Sequence, residues 1–205
     1  MKNLMNNMVI TDIVSLDNKK RKVYIDGKYT FRRYLGEIRR FNIVVGQTIS
    51  EKVLSEIDDI IYKRIRERAL YLLEGMPRTE QNLRRKLIDN NYTDEYIIPV
   101  LEQLKNYGFI DDLKYAQDYA ESMRINRGMS KKMIVLKLFE KGVPRDIIQE
   151  VEFLMPADDS ELIERALNKK GLSINEIKEL EPKEKQKIYR YLLNKGFSCS
   201  CINMY

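Results

Sequence analysis

The chain contains no histidine and no tryptophan, and only two cysteines among its 205 residues. Histidine is the commonest general base and a frequent metal ligand, so its absence argues against acid–base catalysis and against a zinc site. Cys199 and Cys201 are too close together and too few for a disulfide framework, which predicts a reduced, cytosolic protein. We therefore expect no catalytic residue, no metal and no cofactor.

Long apolar runs are also missing. No segment approaches the roughly 18 apolar residues that a membrane span needs. The N-terminal sequence MKNLMNNMVITD lacks the apolar core of a signal peptide. These features predict a cytoplasmic protein without membrane attachment. The length allows one or two domains, and the hydrophobic content of 43% is ordinary for a globular chain.

The net charge of +6 is distributed unevenly. Residues 63–144 carry 16 basic and 12 acidic side chains, a balance of +4, whereas residues 145–182 carry 5 and 10, a balance of −5. A weak positive field suits an acidic partner, either nucleic acid or an acidic protein surface. Net charge alone does not separate such a partner from an ordinary solvated surface.

What the sequence does contain is a repeated helical unit. Ser130 is followed at +4, +8 and +12 by Ile134, Leu138 and Gly142, which is the pattern of a helix cap, two buried residues and a terminator. The same offsets recur in two further sets: Thr79, Leu83, Leu87, Asn91 and Glu184, Ile188, Leu192, Gly196. Ile148 follows Ile97 by 51 residues (148 − 97), and Ile202 follows Ile148 by 54 (202 − 148). Such a period is typical of stacked repeats that bury their faces against neighbours.

The predicted fold is mainly α, with tandem three-helix repeats in an elongated, curved array behind a small N-terminal β-hairpin or sheet. We place the extension, with its hairpin and one helix, at residues 1–50. The repeats then occupy residues 51–110, 111–156 and 157–205. In the hairpin, Asp26-Gly27 suits a type I′ turn, which places Tyr24 opposite Tyr29.

Individual elements carry further expectations. The basic run at residues 19–22 is expected to be a loop, and a helix is expected over residues 32–41. A long helix over residues 51–74 is expected, with a possible break at 58–62. Pro99 predicts a kink in the next helix or a later start, because proline removes a backbone donor. The last helix of repeat three is expected to begin near Ser198.

Two groups of charged residues are candidates for function. Asp111-Asp112 is interpreted as a helix cap rather than a catalytic pair, since no other carboxylate or histidine converges on it. A set of cations, here called the basic stripe, lies on the second helices or beside their N-termini: Arg84, Arg85, Lys86, Arg124, Arg127, Lys131, Lys132 and Lys137. The stripe is either a binding surface or a solvated face. The second helices resemble recognition helices of helix-turn-helix units, although repeat packing explains the same pattern.

The stretch GFIDDLKYA at residues 108–116 resembles the signature G-[FY]-[IL]-[DN]-D-x-[RK]-[FY]-A of the RecX family, the regulators of the RecA recombinase. The stretch RALYLLEGMPRTEQNLRRKLIDNNY resembles that family's first repeat, with Thr79 where serine is usual and Asn91 where glycine is usual. The stretches GMSKKMIVLKLFEKGV and YRYLLNKGF resemble its second and third repeats. The resemblance covers residues 55–202.

This resemblance implies a non-enzymatic, monomeric inhibitor that binds in the groove of the RecA–single-stranded-DNA filament. Such a protein limits filament growth, ATP hydrolysis and strand exchange, and it acts in DNA repair, DNA recombination and the SOS response. An elongated array of repeats suits a helical groove, because it reaches successive protomers. Two alternatives remain open from the residues alone. One is a direct DNA-binding protein, on single or double strands, with helix-turn-helix-like repeats, and the other is a scaffold for a different protein.

Overall fold

The computed structural model describes residues 8–198. It contains four strands, β1 to β4 in chain order: Met8–Ser15, Lys20–Ile25, Lys28–Tyr34 and Thr48–Ile49. Nine α-helices, α1 to α9, occupy these described residues: Leu35–Arg40, Glu51–Gly75, Glu80–Asp89, Asp94–Asn106, Asp112–Arg127, Lys131–Glu140, Arg145–Leu154, Ser160–Asn168 and Pro182–Asn194. A 3₁₀ helix spans Asn175–Glu179. The predicted class, mainly α with three three-helix repeats behind a small sheet, is confirmed, although the final helix expected near Ser198 lies outside the described residues.

The N-terminal sheet is antiparallel, with strand order β3-β2-β1-β4. The predicted hairpin is confirmed, since Asp26 and Gly27 both have positive φ angles, of 49° and 78°. Tyr24 pairs with Tyr29 across the two strands, and their ring centres are 5.7 Å apart. The Tyr29 hydroxyl also donates a hydrogen bond to the Asn91 carbonyl, 2.5 Å away, and so ties the hairpin to the end of α3.

Two boundary predictions in this region are wrong. Residues 20–22 of the basic run expected as a loop begin β2, although Lys19 lies before the strand, and the helix expected over residues 32–41 begins only at Leu35. The reason is that β3 continues to Tyr34, which pairs with Lys20. Pairing with β2 satisfies the backbone groups on one side of this edge strand, and this tertiary gain outweighs the weak helical preference of a few residues.

Helix α2 runs without a break from Glu51 to Gly75. The break considered at residues 58–62 does not occur, because Ile57 and Ile61 are both buried on one face. Within this stretch Asp58 accepts a hydrogen bond of 2.7 Å from the Tyr96 hydroxyl of α4. Asp58, a residue with low helix propensity, is therefore held in α2 by its partner on α4.

Pro99 lies inside α4, which starts at Asp94, so the expectation of a later start is wrong. Proline at this position removes the hydrogen bond that its nitrogen would otherwise donate to the Glu95 carbonyl. The helix tolerates this loss because Val100 and Leu101, which follow directly, are buried. The kink considered at the same position stays a prediction.

Burial and backbone geometry confirm the repeat template in its first two copies and, in the third, at Leu192 and Gly196. At the +4 and +8 positions, the side chains of Leu83, Leu87, Ile134, Leu138 and Leu192 are fully buried. At +12, Asn91, Gly142 and Gly196 have φ angles of 61°, 80° and 90°, the left-handed conformation that ends a helix. In the first two copies the offsets therefore reflect one recurring structure, in which a capped helix buries two residues and stops at a left-handed residue. The third copy departs from the template at two positions: α9 begins at Pro182, so Glu184 lies inside the helix and not at its cap, and Ile188 is only half-buried.

The chain divides into two compact units: Met1–Pro77 with Asn82–Ile110, and Arg78–Gln81 with Asp111–Tyr205. The first unit holds the sheet, α1, α2, α4 and most of α3 around one apolar cluster. In the second unit, repeat two and repeat three each hold a separate buried cluster, centred on Leu138 and on Leu167. Among the described residues, no helix is long and apolar enough to cross a bilayer.

Candidate interaction surface

The start of α6 is held by two groups from repeat three. The backbone N–H of Ser130 donates to the carbonyl of Lys195 at 2.9 Å, and that of Lys131 donates to the Asp159 carboxylate at 3.2 Å. The Ser130 hydroxyl accepts a hydrogen bond from the Met133 N–H at 3.2 Å, which confirms its predicted role as a cap. The first N–H groups of a helix have no partner inside it. The carboxylate from the next repeat accepts a hydrogen bond from one of them, and its negative charge interacts favourably with the positive end of the helix dipole.

The start of α3 is held in the same way by repeat two. The Thr79 hydroxyl donates to the carbonyl of Lys141 at 2.7 Å, and the Glu80 N–H donates to the Asp112 carboxylate at 2.9 Å. This explains why Arg78–Gln81 belongs to the second compact unit. The two junctions are therefore of the same kind. In each, an aspartate and the C-terminal end of a helix from the later repeat contact the N-terminus of the second helix of the earlier repeat.

Asp111 and Asp112 have different partners. Asp111 caps its own helix α5, accepting from the Lys114 N–H at 2.8 Å, as predicted. Asp112 is buried and caps α3 of the previous repeat instead, which the sequence analysis missed. The available signal was the second Asp-Asp pair, Asp158-Asp159, at the start of repeat three. Among residues 8–198, no group of three His, Cys, Asp or Glu side chains is placed to hold a metal ion.

Arg124, a member of the basic stripe, lies in the junction between repeats two and three. Its guanidinium donates to the Asp159 carboxylate at 2.7 Å and to the Asp158 carbonyl at 3.0 Å. The side chains of Arg124 and Asp159 are each only 16% exposed. This arginine is therefore occupied by an internal ion pair, and its main contact is within the protein.

Arg84 forms the second internal pair. It donates two parallel hydrogen bonds to Asp94 of α4, at 2.8 and 2.6 Å, and both side chains are partly exposed. This hydrogen bonding lowers the pKa of the Asp94 carboxyl below its ordinary value. Two further members have weaker partners: Lys131 donates to the Met155 carbonyl at 3.3 Å, and Lys137 lies 3.8 Å from the Glu140 carboxylate.

Three of the remaining four cations of the stripe are exposed to solvent. Arg85, Arg127 and Lys132 are exposed, and Lys86 is half-buried. None of these four forms an ion pair with another described residue. Counted from the capping residue of its own helix, Arg85 is at +6 and Lys132 at +2. Within the repeat these two positions are one helical turn apart, on the face opposite the buried residues. Each second helix therefore presents a cation outward while its other face is packed.

The fold and its junctions define a class of protein: a tandem array of three-helix repeats, each capping the one before. Comparison with known families identifies the particular one. The three domain models of the family match in order, the first three-helix domain of RecX over residues 66–104, the second over 111–151 and the third over 157–205. The chain belongs to the RecX family of regulatory proteins.

Individual relatives agree with this assignment. The regulatory protein RecX of Clostridium botulinum strain Alaska E43 is 32% identical over 90% of this chain and 88% of its own length. That of Clostridium perfringens strain SM101 is 30% identical, over 93% and 92%. The crystal structure of RecX from Lactobacillus salivarius has a TM-score of 0.58 at 26% identity, covering 71% of this chain and 94% of that one. A further crystal structure of a regulatory protein RecX has a TM-score of 0.60 at 25% identity and covers 96% of this chain.

Proposed function

We propose that this chain is a non-enzymatic inhibitor of the RecA recombinase, bound as a monomer in the groove of the RecA–single-stranded-DNA filament. The observation that carries the proposal is the ordered match of all three RecX domains along residues 66–205. Binding there limits filament growth, and with it ATP hydrolysis and strand exchange. The proposed organisation is an extension at 1–50 followed by repeats at 51–110, 111–156 and 157–205.

A partner made of identical protomers offers the same surface at regular intervals, and a tandem repeat protein meets it with the same helix face more than once. Here that face carries Arg85 on α3 and Lys132 on α6, both exposed. Exposed cations without internal partners favour an acidic partner, because binding costs no ion pair within the protein. Within the basic stripe, we therefore assign filament contact to the outward residues and structural roles to Arg84 and Arg124.

The double variant Arg85→Glu with Lys132→Glu is expected to bind filaments at least about tenfold more weakly, since repulsion replaces attraction at two contacts. Its thermal unfolding is expected to change little, because exposed substitutions move stability by about 0.5 kcal/mol or less. Co-sedimentation with preassembled RecA filaments measures the first quantity. Lys52→Glu with Lys183→Glu is the matched control, as both lysines are exposed and the charge change is the same.

Equal binding by the two double variants would show that Arg85 and Lys132 are ordinary solvated residues. Unfolding of the first variant would show instead that these side chains pack. Duplex DNA offered in the same assay without RecA tests the helix-turn-helix alternative. Tight, sequence-dependent duplex binding by wild-type protein, together with no filament binding, would replace the proposed function by that one.

A further inference from the structure

Three helices of the second unit end at one place. Helix α5 ends at Arg127, α8 is followed by Lys169 and Lys170, and α9 is followed by Lys195. The Lys195 ammonium donates a hydrogen bond to the carbonyl of Arg127. We call Arg127, Lys169, Lys170 and Lys195 the C-terminal cation cluster. Only Arg127 among them belongs to the basic stripe, and its side chain is exposed.

The ring of Tyr191 holds two of these cations together. The ammonium groups of Lys170 and Lys195 lie 4.9 and 5.4 Å from its ring centre. Both distances are within the range of a cation–π interaction, which offsets part of the repulsion between the two charges. Because the ring is engaged by two ammonium groups, it is not available as a platform for a nucleic-acid base.

No carboxylate of the described residues is paired with the cluster. Within residues 8–198, none of its four side chains forms an ion pair with a carboxylate. The helix C-termini supply only about half a negative charge each. Burial lowers the pKa of the Lys195 ammonium, and the neighbouring positive charge of Lys169 lowers it further, so repulsion between like charges is part of the shift. An anion bound here would relieve that repulsion.

We propose that the C-terminal cation cluster binds the phosphodiester backbone of a nucleic-acid strand. A strand carries one charge for about every 3.4 Å of its length, so it neutralises several clustered cations at once, which a single carboxylate does not. Contacts to phosphates carry no sequence information, and the engaged ring of Tyr191 adds no base stacking. The proposed site is therefore sequence-independent. It gives the protein a direct contact with the strand, in addition to the contact with RecA protomers in the proposed function.

The test is fluorescence anisotropy of a labelled 20-nucleotide oligothymidylate, titrated without RecA with the full-length protein at several salt concentrations. The double variant Lys169→Gln with Lys170→Gln is expected to bind about tenfold more weakly at low salt. Its slope of log affinity against log salt should be smaller by about 1.4, the value for two lost phosphate contacts on a single strand. Lys183→Gln with Lys187→Gln, two exposed lysines of α9 outside the cluster, is the matched control.

The proposal is supported if only the cluster variant loses affinity and salt dependence while both variants unfold at the wild-type temperature. It is overturned if both variants lose affinity equally, because the effect is then one of net charge. It is also overturned if polyglutamate displaces the oligonucleotide at equal charge concentration, since the ligand is then an acidic protein surface. None of these outcomes requires RecA, so failure here leaves the proposed function standing, and the reverse also holds.

Discussion

Asp159→Ala should destabilise the protein by about 3 kcal/mol. The substitution leaves the guanidinium of Arg124 largely buried without its carboxylate and removes the acceptor of the Lys131 N–H. Removing one partner of a buried ion pair costs far more than the pair contributes, because the remaining charge stays desolvated. Urea unfolding followed by circular dichroism measures the change in midpoint.

The matched control is Asp118→Ala. Asp118 also pairs with a cation, Lys114 at 3.3 Å, but the two side chains are 64% and 71% exposed. An exposed pair contributes about 0.5 kcal/mol at most. If the two alanine variants lose similar stability, the buried pair between Arg124 and Asp159 contributes no more than an exposed pair and does not stabilise the junction between repeats two and three.

Gly196→Ala should lower the free energy of unfolding by about 3 kcal/mol. Gly196 has a φ angle of 90°, which costs a non-glycine residue about 1–2 kcal/mol. An added Cβ atom would also lie 2.5 Å from the Cβ of Met133 and 3.2 Å from its backbone nitrogen, so the first turn of α6 has to move. Overpacking of this kind typically adds about 1–3 kcal/mol.

Gly171→Ala separates the two causes. Gly171 has a similar φ angle of 71°, but a Cβ atom there meets nothing within 4 Å. This variant should lose only the cost of the left-handed backbone, about 1 kcal/mol. Both variants are measured by thermal unfolding under the same conditions. A loss at Gly196 no greater than at Gly171 would contradict the close junction between α9 and α6.

The repeated helices could be predicted from sequence because their signals are local. A cap, two buried residues and a left-handed terminator at fixed offsets describe one helix completely, so Ser130, Leu138 and Gly142 have the roles expected of them. The hairpin was predictable for the same reason, since Asp26-Gly27 defines its own turn.

The junctions between repeats were not predictable, because their signals lie far apart in the chain. Asp112 looks like a cap of the helix it begins, and only the folded chain brings it to Glu80, 32 residues earlier. Arg124 likewise looks like a surface cation until Asp159, 35 residues later, is placed against it. The extent of β3 was missed because pairing with β2, rather than local preference, decides where the strand ends.

The sequence predicted which cations belong to the candidate surface but not which of them are paired within the protein. All eight cations of the basic stripe were named from sequence, yet Arg84 and Arg124 donate hydrogen bonds to carboxylates in the structure and Lys137 lies in a weaker ion pair. Sequence shows where a charge is but not whether the fold pairs it. Arg85 and Lys132 were expected to reach solvent because they flank the buried positions of their helices, and both are exposed, with no ion-pair partner among the described residues.

The ATPase activity of RecA on single-stranded DNA tests the central claim most directly. Wild-type protein at one molecule per ten or more RecA protomers should slow hydrolysis severalfold, because a bound inhibitor limits a whole stretch of filament. At this ratio the protein is too scarce to act by covering the DNA. The Arg85→Glu, Lys132→Glu variant should require several times more protein for the same effect. An unchanged rate of ATP hydrolysis at a tenfold molar excess of wild-type protein over RecA in low salt would contradict the proposed inhibition of RecA.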